Sequence, residues 1–494
     1  MSKRRVLGAW LPISIAAVVL PTVALIGVAK IWHAGPGNGA FAEASRIYSS
    51  LSYTGARKDA PPSAEMVFRS ASALSGASSP SLALRNAVLL DAVRASIAAG
   101  DSRVASRLCS ALRCGKAGKD LEAWWFNAVI TSQDPHARWI PDEMLFKVTD
   151  VLDRAKSGTG VSVGKGGEVT DVAAGSPASS SVKPGDRIVS MSERGKSVPA
   201  EDQGRALSSP SGDVVLGVRK PSGKTVDVPV RRTRWETDEG KPLASVEMDG
   251  GRRVLSVKWP LFYARQASES LKGETVADEL RKIAGEAGKV DDWVVDLRGN
   301  AGGDVGQVPS SASLFAPSGT PVASMDFGDR KSDVSVPAGG EPVVNPKKVV
   351  VIVDGSTASA AELMAAWLQG QGACVVGRPT YGKGSVQEVF PLTGEHPWGG
   401  ALVATVALFM VNGNYIQGYG VIPDYLAGPE HADSGSEAKM GNAIVPPGGF
   451  RPFQNPPHSA KGNPSSTAQG KPSATSASAL SWRSALALCR QAQR

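Results

Sequence analysis

The segment comprising residues 349–387 constrains the fold of this chain more than any other. It opens with the apolar, β-branched run Val349–Val353, which is too short for a buried helix and predicts a buried strand. Turn-forming residues occupy 354–357, and the alanine-rich sequence from Ala358 onward predicts a helix. The segment therefore predicts a strand, a turn and a helix, with Ser359 at the turn.

The second half of the segment adds a lysine to this arrangement. An apolar strand is predicted at 373–377, and it leads into the glycine-rich turn 381–384, which contains Lys383. A serine hydroxyl needs a nearby base to become nucleophilic, and a lysine serves only when burial lowers its pKa. Gln387 follows four residues later, where its carbonyl can orient the amine. The pattern indicates a serine nucleophile with a lysine base.

Other interpretations of these residues are simpler. A serine after a strand is commonly a helix N-cap, and a lysine between two glycines is commonly solvated. Residues 377–383 also fit the start of a phosphate-binding loop, but Gly384 stands where Ser or Thr would bind magnesium, and a strand is predicted to follow. No histidine lies in a convincing catalytic-triad context: the chain has only His33, His136, His396, His431 and His458.

These motifs resemble those of the C-terminal processing peptidases, also called tail-specific proteases. Residues 357–362 resemble the nucleophile motif of that family, and residues 381–387 resemble its lysine motif. Further matches follow the order of the family: 134–141 before the PDZ domain, 175–178 and 184–186 within it, 296–303 as the oxyanion loop, and 420–424 at the end of the core. Tyr381 and Ala301 depart from the residues common in the family.

The resemblance implies a serine-type endopeptidase that requires no metal and no organic cofactor. It assigns catalytic roles to Ser359, Lys383 and Gln387. It also implies an oxyanion hole in which a backbone N–H of Gly302 or Gly303 joins that of Ala360. The substrates implied are polypeptides with apolar C-termini, cleaved without ATP.

The resemblance further implies a PDZ domain that docks the carboxylate at the end of a peptide. A small sheet with one helix can accept such a peptide as an added strand. The loop implied to bind the carboxylate consists of Gly158, Thr159, Gly160 and Val161. The alternative is that this region is merely a structural β-rich module.

The predicted fold class is an α/β multidomain protein. It comprises a membrane segment, a helical N-terminal region, an inserted PDZ-like β-rich domain and an α/β protease core with a partly parallel sheet. The expected boundaries are 1–34 for a signal anchor or signal peptide, 35–150 for the helical region, 151–233 for the PDZ domain, 234–430 for the core, 431–478 for a flexible linker and 479–494 for a C-terminal helix that docks back onto the protein.

The charge distribution argues against nucleic-acid binding. The formal net charge of the 494 residues is +8, but residues 3–5 contribute +3 and residues 447–494 contribute +6 without any acid. The part between them is therefore close to −1, since 8 − 9 = −1. A chain whose middle carries no basic excess is not expected to bind nucleic acid.

The first 32 residues predict export. Residues 6–32 follow three basic residues, are largely apolar and carry Lys30 as their only charge. The stretch is long enough to span a bilayer, and its basic end is expected in the cytoplasm. An anchor on the periplasmic side of the inner membrane is preferred. A cleaved signal peptide ending near residues 40–42 is the alternative.

The four cysteines suggest one candidate disulfide. Cys109 and Cys114 are five residues apart and can form a small loop in an oxidising compartment. Cys374 lies in a predicted apolar strand and Cys489 in the terminal segment, so both are predicted to be buried and unpaired.

Two alternative functions from other classes are also compatible with the sequence. One is a non-catalytic envelope scaffold that binds protein C-termini, and the other is an acyl-transferring or esterase enzyme on the same residues. The presence of Ser359, Lys383 and Gln387 disfavours the first, and the PDZ-like region disfavours the second. The physiological substrate and any adaptor, activator or homo-oligomer stay open.

Overall fold

The structure is a computed structural model, and it describes residues 134–140, 150, 154–264, 275–391, 401–428, 436–440, 443–451, 453 and 480–492. The predicted membrane segment, the helical region before residue 134 and the pair Cys109 and Cys114 lie outside these residues. Within the part that is described, no helix is both long and apolar enough to cross a bilayer.

The strands are numbered in chain order. They are β1 (Arg138–Ile140), β2 (Ala155–Gly158), β3 (Val161–Val163), β4 (Val169–Val172), β5 (Arg187–Glu193), β6 (Lys196–Ser197), β7 (Gly212–Arg219), β8 (Thr225–Glu236), β9 (Leu243–Asp249), β10 (Arg252–Lys258), β11 (Asp292–Asp296), β12 (Pro321–Asp326), β13 (Lys331–Ser335), β14 (Val349–Val353), β15 (Cys374–Gly377), β16 (Ser385–Pro391), β17 (Ala401–Val411), β18 (Asn414–Tyr415) and β19 (Tyr425–Leu426).

The α-helices are numbered in the same way. They are α1 (Ala200–Ser208), α2 (Val276–Ala287), α3 (Gln307–Ala312), α4 (Ala360–Gly370) and α5 (Trp482–Ala492). The chain divides into two compact units, of which one comprises 141–241 with 263–275 and the other comprises the remaining residues. The second of these contains the predicted catalytic residues and is called the core unit here.

The smaller unit is a β-rich module with the one helix α1. Five of its strands form an antiparallel sheet in the order β2-β8-β7-β5-β6. The other two, β3 and β4, pair with each other in a separate two-stranded sheet. Strand β7 alternates as a half-buried strand should, because Val214, Leu216 and Val218 are buried while Asp213 and Val215 are exposed. Strands β7 and β8 form an antiparallel hairpin.

The core unit contains a mixed six-stranded sheet in the order β19-β15-β14-β11-β10-β9. All neighbours from β10 to β19 are parallel, and only β9 is antiparallel, so the predicted partly parallel sheet is confirmed. Every residue of β14 is buried, as expected for an unbroken run of β-branched residues in the centre of a sheet. Because Asp296 pairs with Ile352 in parallel register, the loops after β11 and β14 leave the same edge.

A second sheet of the core unit is antiparallel. It has the order β1-β17-β12-β13, and β16 and β18 also pair with β17. Helix α4 contacts β14 and β15 of the mixed sheet and β12 and β17 of the antiparallel sheet, so it lies between the two sheets. This position explains why all its residues from Ala360 to Gln369 are buried.

The C-terminal helix α5 packs against the mixed sheet, which confirms the predicted docking. Its residues Ala485, Leu486 and Cys489 are buried in one apolar cluster with side chains of the central strands, namely Val254, Val294, Val350, Ile352 and Val376. The Arg490 guanidinium also pairs with Asp249 and Asp292 at the far edge of this sheet, at 2.6 Å from each.

A disulfide joins this helix to the sheet. Cys374 of β15 and Cys489 of α5 are bonded, with 6.0 Å between their Cα atoms. The prediction that these two cysteines are unpaired was therefore wrong. No local pattern indicates the pair, because 115 residues separate the two positions and only the return of α5 across the sheet brings them together.

Candidate active site

Ser359 lies at the turn between β14 and α4, as predicted, and occupies the N-cap position of the helix. Its φ of 56° is unusual for a residue with a side chain, and such conformations are concentrated at functional sites. The turn is fixed by Thr357, whose hydroxyl donates to the Leu297 carbonyl at 2.9 Å. The turn that contains Ser359 is thereby joined to the loop that follows β11.

The glycine-rich loop after β11 reaches the same turn. Asn300 is fully buried, and its side-chain amide donates to the Trp259 carbonyl at 2.8 Å. Its backbone carbonyl accepts the Ala358 N–H at 2.9 Å. A Cβ added to Gly302 would lie 2.8 Å from the Cβ of Ser359, so only glycine permits this close approach.

The N–H groups of this loop are not equivalent. The N–H of Gly302 donates to the Asn300 side chain at 2.8 Å. In the described part of the chain, no hydrogen bond is recorded for the N–H of Gly303 or of Ala360. The latter is the first residue of α4, where helix N–H groups lack partners within the helix.

Lys383 lies in the turn that leads into β16. Its Nζ donates to Gln387 Oε1 at 2.5 Å and to the Ser385 carbonyl at 3.1 Å. The amide of Gln387 in turn donates to the hydroxyls of Ser385 at 3.0 Å and Thr405 at 3.1 Å. The chain continues as a strand rather than a helix, which is inconsistent with the phosphate-binding loop.

Glu362 connects the serine turn to the lysine turn. Its Oε2 accepts the backbone N–H of Ser359 at 2.8 Å and that of Lys383 at 2.8 Å, so these two nitrogens lie no more than twice 2.8 Å apart. Its Oε1 accepts the N–H of Gly382 at 2.6 Å and the hydroxyl of Thr380. A single buried carboxylate thus fixes both turns.

The surroundings alter the protonation of both groups. Burial lowers the pKa of Lys383 to about 8, although the negative charges of Glu437, Asp134 and Glu362 act in the opposite direction. Burial also raises the pKa of Glu362 to about 7, against the effect of its four hydrogen bonds. A substantial fraction of Lys383 is therefore neutral in mildly alkaline solution.

A second hydrogen-bond network lies beside the lysine turn. Asp134 accepts the N–H of Thr405 at 2.8 Å and that of His136 at 2.9 Å. His136 Nε2 lies 2.8 Å from Oε1 of Glu437, and Gln417 donates to the same oxygen at 3.1 Å. Parts of the predicted linker 431–478 are therefore packed into the core unit, since Glu437 is fully buried.

The predicted peptide-binding loop lies between β2 and β3 of the smaller unit. Both glycines of this loop have positive φ, 110° for Gly158 and 81° for Gly160. Thr159 is buried, its N–H donates to the Leu207 carbonyl at 2.8 Å, and its hydroxyl oxygen accepts the N–H of Val161 at 3.2 Å. For the N–H of Gly160, no hydrogen bond is recorded within the residues described.

Among the residues described, no group of acidic, histidine and cysteine side chains has the arrangement of a metal site.

Some residues of the site were predicted from the sequence, namely Ser359, Lys383 and Gln387, and others were missed. Glu362 was missed as a functional residue, although a glutamate three positions after a serine is a recognisable capping-box spacing. His136 and Glu437 are 301 residues apart, so no local pattern could have paired them.

Comparison with known proteins is consistent with this geometry. The model of Peptidase family S41 matches residues 257–427, which include the serine turn, the glycine-rich loop and the lysine turn. This part of the chain therefore matches peptidase family S41. The chain is accordingly a serine-type endopeptidase, the class of that family.

Curated relatives carry names of the same kind. A carboxy-terminal-processing protease of Bartonella bacilliformis is 29% identical over 317 residues, which are 60% of this chain and 67% of that protein. A carboxy-terminal processing protease of Bacillus subtilis is 25% identical over 344 residues, 64% of this chain and 69% of that protein.

A solved structure titled photosystem II D1 C-terminal processing protease is also similar to this chain. The two are 21% identical, the match covers 63% of this chain and 83% of that chain, and the TM-score is 0.38.

Proposed function

We propose that this S41 peptidase is an exported, ATP-independent endopeptidase that uses a Ser359–Lys383 dyad and selects polypeptides by their apolar C-terminal tails. The observation that carries the dyad is the carboxylate of Glu362, one oxygen of which binds the backbone N–H groups of both residues at 2.8 Å. The reaction does not require ATP, because peptide hydrolysis proceeds spontaneously in water once the barrier is lowered.

The proposed reaction begins with the neutral amine of Lys383. It takes the proton of the Ser359 hydroxyl as that oxygen forms a bond to the scissile carbonyl carbon. The resulting ammonium returns the proton to the leaving amine when the peptide C–N bond breaks, which leaves an acyl-enzyme. Water then hydrolyses the ester, with Lys383 again acting as the base and Gln387 holding its Nζ.

The developing oxyanion needs donors that are not already engaged. Because the N–H of Gly302 is bound to Asn300, Gly303 is the better partner for Ala360 in this role. Gly302 then serves the reaction differently, by allowing the loop to approach Ser359.

Selection of tails is assigned to the smaller unit. Among the described strands, β3 pairs only with β4, so its other edge is available for a peptide strand. The N–H of Gly160 at the start of this edge is a suitable donor to a terminal carboxylate. A strand added at this edge presents alternate side chains to the module, and the resemblance to tail-specific proteases implies that these are apolar.

Export is supported by the disulfide between Cys374 and Cys489, since disulfides persist in oxidising compartments and are rare in the cytosol. Together with the apolar segment 6–32, it favours a site of action in the cell envelope, with the chain anchored to the membrane. Intact-mass analysis of the exported protein distinguishes an anchored chain from one whose signal peptide has been cleaved. A mature chain beginning near Glu43 would exclude the anchor.

The test compares the purified full-length chain with Ser359→Ala, Lys383→Ala and a matched control, Lys348→Ala, which removes an exposed lysine. Each is mixed with an unfolded polypeptide that ends in apolar residues or with the same polypeptide ending in aspartates. Cleavage is expected for wild type and control only, and it is expected to be faster for the apolar tail. Retained cleavage by Lys383→Ala would exclude the dyad, and equal rates for the two tails would exclude tail selection.

A further inference from the structure

Glu437 is a fully buried acid that the proposed mechanism has not used. Its Oε1 is bound by His136 Nε2 at 2.8 Å and by the amide of Gln417 at 3.1 Å. Its Oε2 is also buried and has no hydrogen-bond partner within the described residues. A buried carboxylate with one unsatisfied oxygen is costly, so its presence calls for an explanation.

The position of Glu437 is set by the lysine turn itself. Its backbone N–H donates to the carbonyl of Tyr381 at 3.0 Å, and Gln417, which binds its side chain, accepts the N–H of Gly384 at 2.8 Å. These two contacts flank Lys383 on either side in the sequence. Both Gln417 and Glu437 are fully buried, so little solvent screens the carboxylate from the lysine.

The two neighbours of Glu437 in the lysine turn respond to its charge. It is the first of the negative groups that raise the pKa of Lys383 against the effect of burial. The pKa of Tyr381 is raised by burial and then by the charge of Glu437. The other charged or titratable groups that face this lysine or this carboxylate are Asp134, His136, Arg138 and Glu362.

We propose that Glu437 is a positioning residue for Lys383: its carboxylate, held by His136 and Gln417, fixes the lysine turn and stabilises the ammonium that forms when the lysine accepts the serine proton. The inference rests on the proposed Ser359–Lys383 dyad. A neutral side chain could supply the same hydrogen bonds and anchor the turn equally well. The distinguishing property of Glu437 is therefore its negative charge.

The test is the pH dependence of kcat, measured with a saturating fluorogenic peptide on the full-length chain. Glu437→Gln keeps the shape of the side chain and removes its charge, so kcat is expected to fall by about tenfold or more with little change in KM. Loss of a negative charge lowers the pKa of an amine, so the rising limb of the profile is expected to move to lower pH by about half a unit or more.

Two further variants separate charge from structure. Glu437→Asp keeps the charge at a greater distance, so its midpoint is expected to lie between those of wild type and Glu437→Gln. The matched control is Glu341→Gln, which makes the same change at an exposed glutamate and is expected to behave as wild type. Thermal melting shows whether Glu437→Gln folds. If it does not, the test is the pH midpoint of the kcat profile of Glu437→Asp compared with that of wild type.

An unshifted midpoint in a folded Glu437 variant with reduced kcat would show that the residue is only a structural anchor and would overturn this inference. The dyad would stand in that case, provided that Lys383→Ala is inactive. Activity in Lys383→Ala that is lost in His136→Ala would instead overturn both proposals, since the base would then be the histidine.

Discussion

The carboxylate of Glu362 accepts the backbone N–H of Ser359 at 2.8 Å from one turn further along the helix that Ser359 begins. All four groups bound to this carboxylate are donors, three of them backbone N–H groups and one the hydroxyl of Thr380. An ionised carboxylate accepts all four bonds, whereas a protonated one must give up an acceptor position. Ionisation of Glu362 is therefore expected to favour activity, because the ionised carboxylate holds both turns. Protonation is expected to favour stability, because burial disfavours the charged form.

The first prediction follows for Glu362→Gln. It is expected to lower kcat by about tenfold to a hundredfold, because its amide N–H group would face a backbone N–H. Since burial raises the pKa of Glu362 to about 7, the folded wild type binds this proton more tightly than the unfolded chain. The wild-type melting temperature is therefore expected to fall as the pH rises from about 4.5 to about 7, and this slope is expected to shrink in the variant. An identical slope in both proteins would contradict this assignment.

The second prediction concerns Lys383 and Gln387. Because the proposed base is the neutral amine and the pKa of Lys383 is lowered to about 8, kcat is expected to rise as the pH increases through about 8 and then to level off. Gln387→Ala removes the 2.5 Å contact to Nζ and is expected to lower kcat by about tenfold or more. Gln371→Ala, at a partly exposed position at the end of α4, is the control. A bell-shaped pH profile of kcat with its maximum well below pH 7 would indicate a different base.

The third prediction concerns the glycine-rich loop. Gly302→Ala introduces a Cβ 2.8 Å from the Cβ of Ser359 and 2.9 Å from the Ala358 carbonyl, so it is expected to lower kcat by about a hundredfold or more. Gly299→Ala is a matched control in the same loop. It also has positive φ, 72°, but no atom lies within 4 Å of the added Cβ. Similar losses in both variants would attribute the effect to backbone strain rather than to the approach to Ser359.

The fourth prediction separates tail recognition from catalysis. A Cβ on Gly160 would lie 2.1 Å from the side chain of Ser176, so Gly160→Ala is expected to weaken binding of an apolar-tailed peptide by about tenfold or more. Hydrolysis of a short blocked peptide without a free carboxylate should be unchanged. Gly175→Ala has positive φ but an open surrounding and serves as the control. Fluorescence anisotropy of a labelled tail measures the binding, and unchanged affinity in Gly160→Ala would remove this loop from the recognition site.

The fifth prediction concerns the disulfide. Closing a loop of 115 residues stabilises a folded chain by up to about 5 kcal/mol in the chain-entropy model, so Cys489→Ser is expected to melt several degrees below wild type. Reductant should lower the melting temperature of wild type and leave that of the Cys374→Ser, Cys489→Ser double variant unchanged. Thiol counting on the denatured, unreduced chain gives an independent check. Four free thiols would exclude the bond.

The parts of the site that lie close together in the sequence could be predicted. Ser359 is placed by the change from a β-branched run to a capping turn and an alanine-rich helix, and Lys383 is placed by the glycines beside it. Ser385 and Gln387 share one face of β16 because side chains alternate along a strand, so the Gln387 amide N–H meets the Ser385 hydroxyl while its oxygen accepts from Lys383. These arrangements depend on local backbone preferences, which a single sequence displays.

The contacts that depend on the return of a distant segment could not be predicted. Cys489 reaches Cys374 only because α5 lies across the mixed sheet, and its helical pattern does not specify which face it covers. Glu437 lies in a segment whose composition indicated a linker, and its burial depends on His136 and Gln417 from elsewhere in the chain. Such pairings are set by tertiary packing, and no local propensity encodes them.

The two residues of the proposed dyad are attached to different sheets. Ser359 follows a strand of the mixed sheet, Lys383 precedes a strand of the antiparallel sheet, and α4 lies between the two layers. Catalysis by the proposed dyad would therefore depend on how the two layers are aligned as well as on the local geometry of each turn. Glu362, on the helix between the layers, binds the backbone of both residues and so links that alignment to the site.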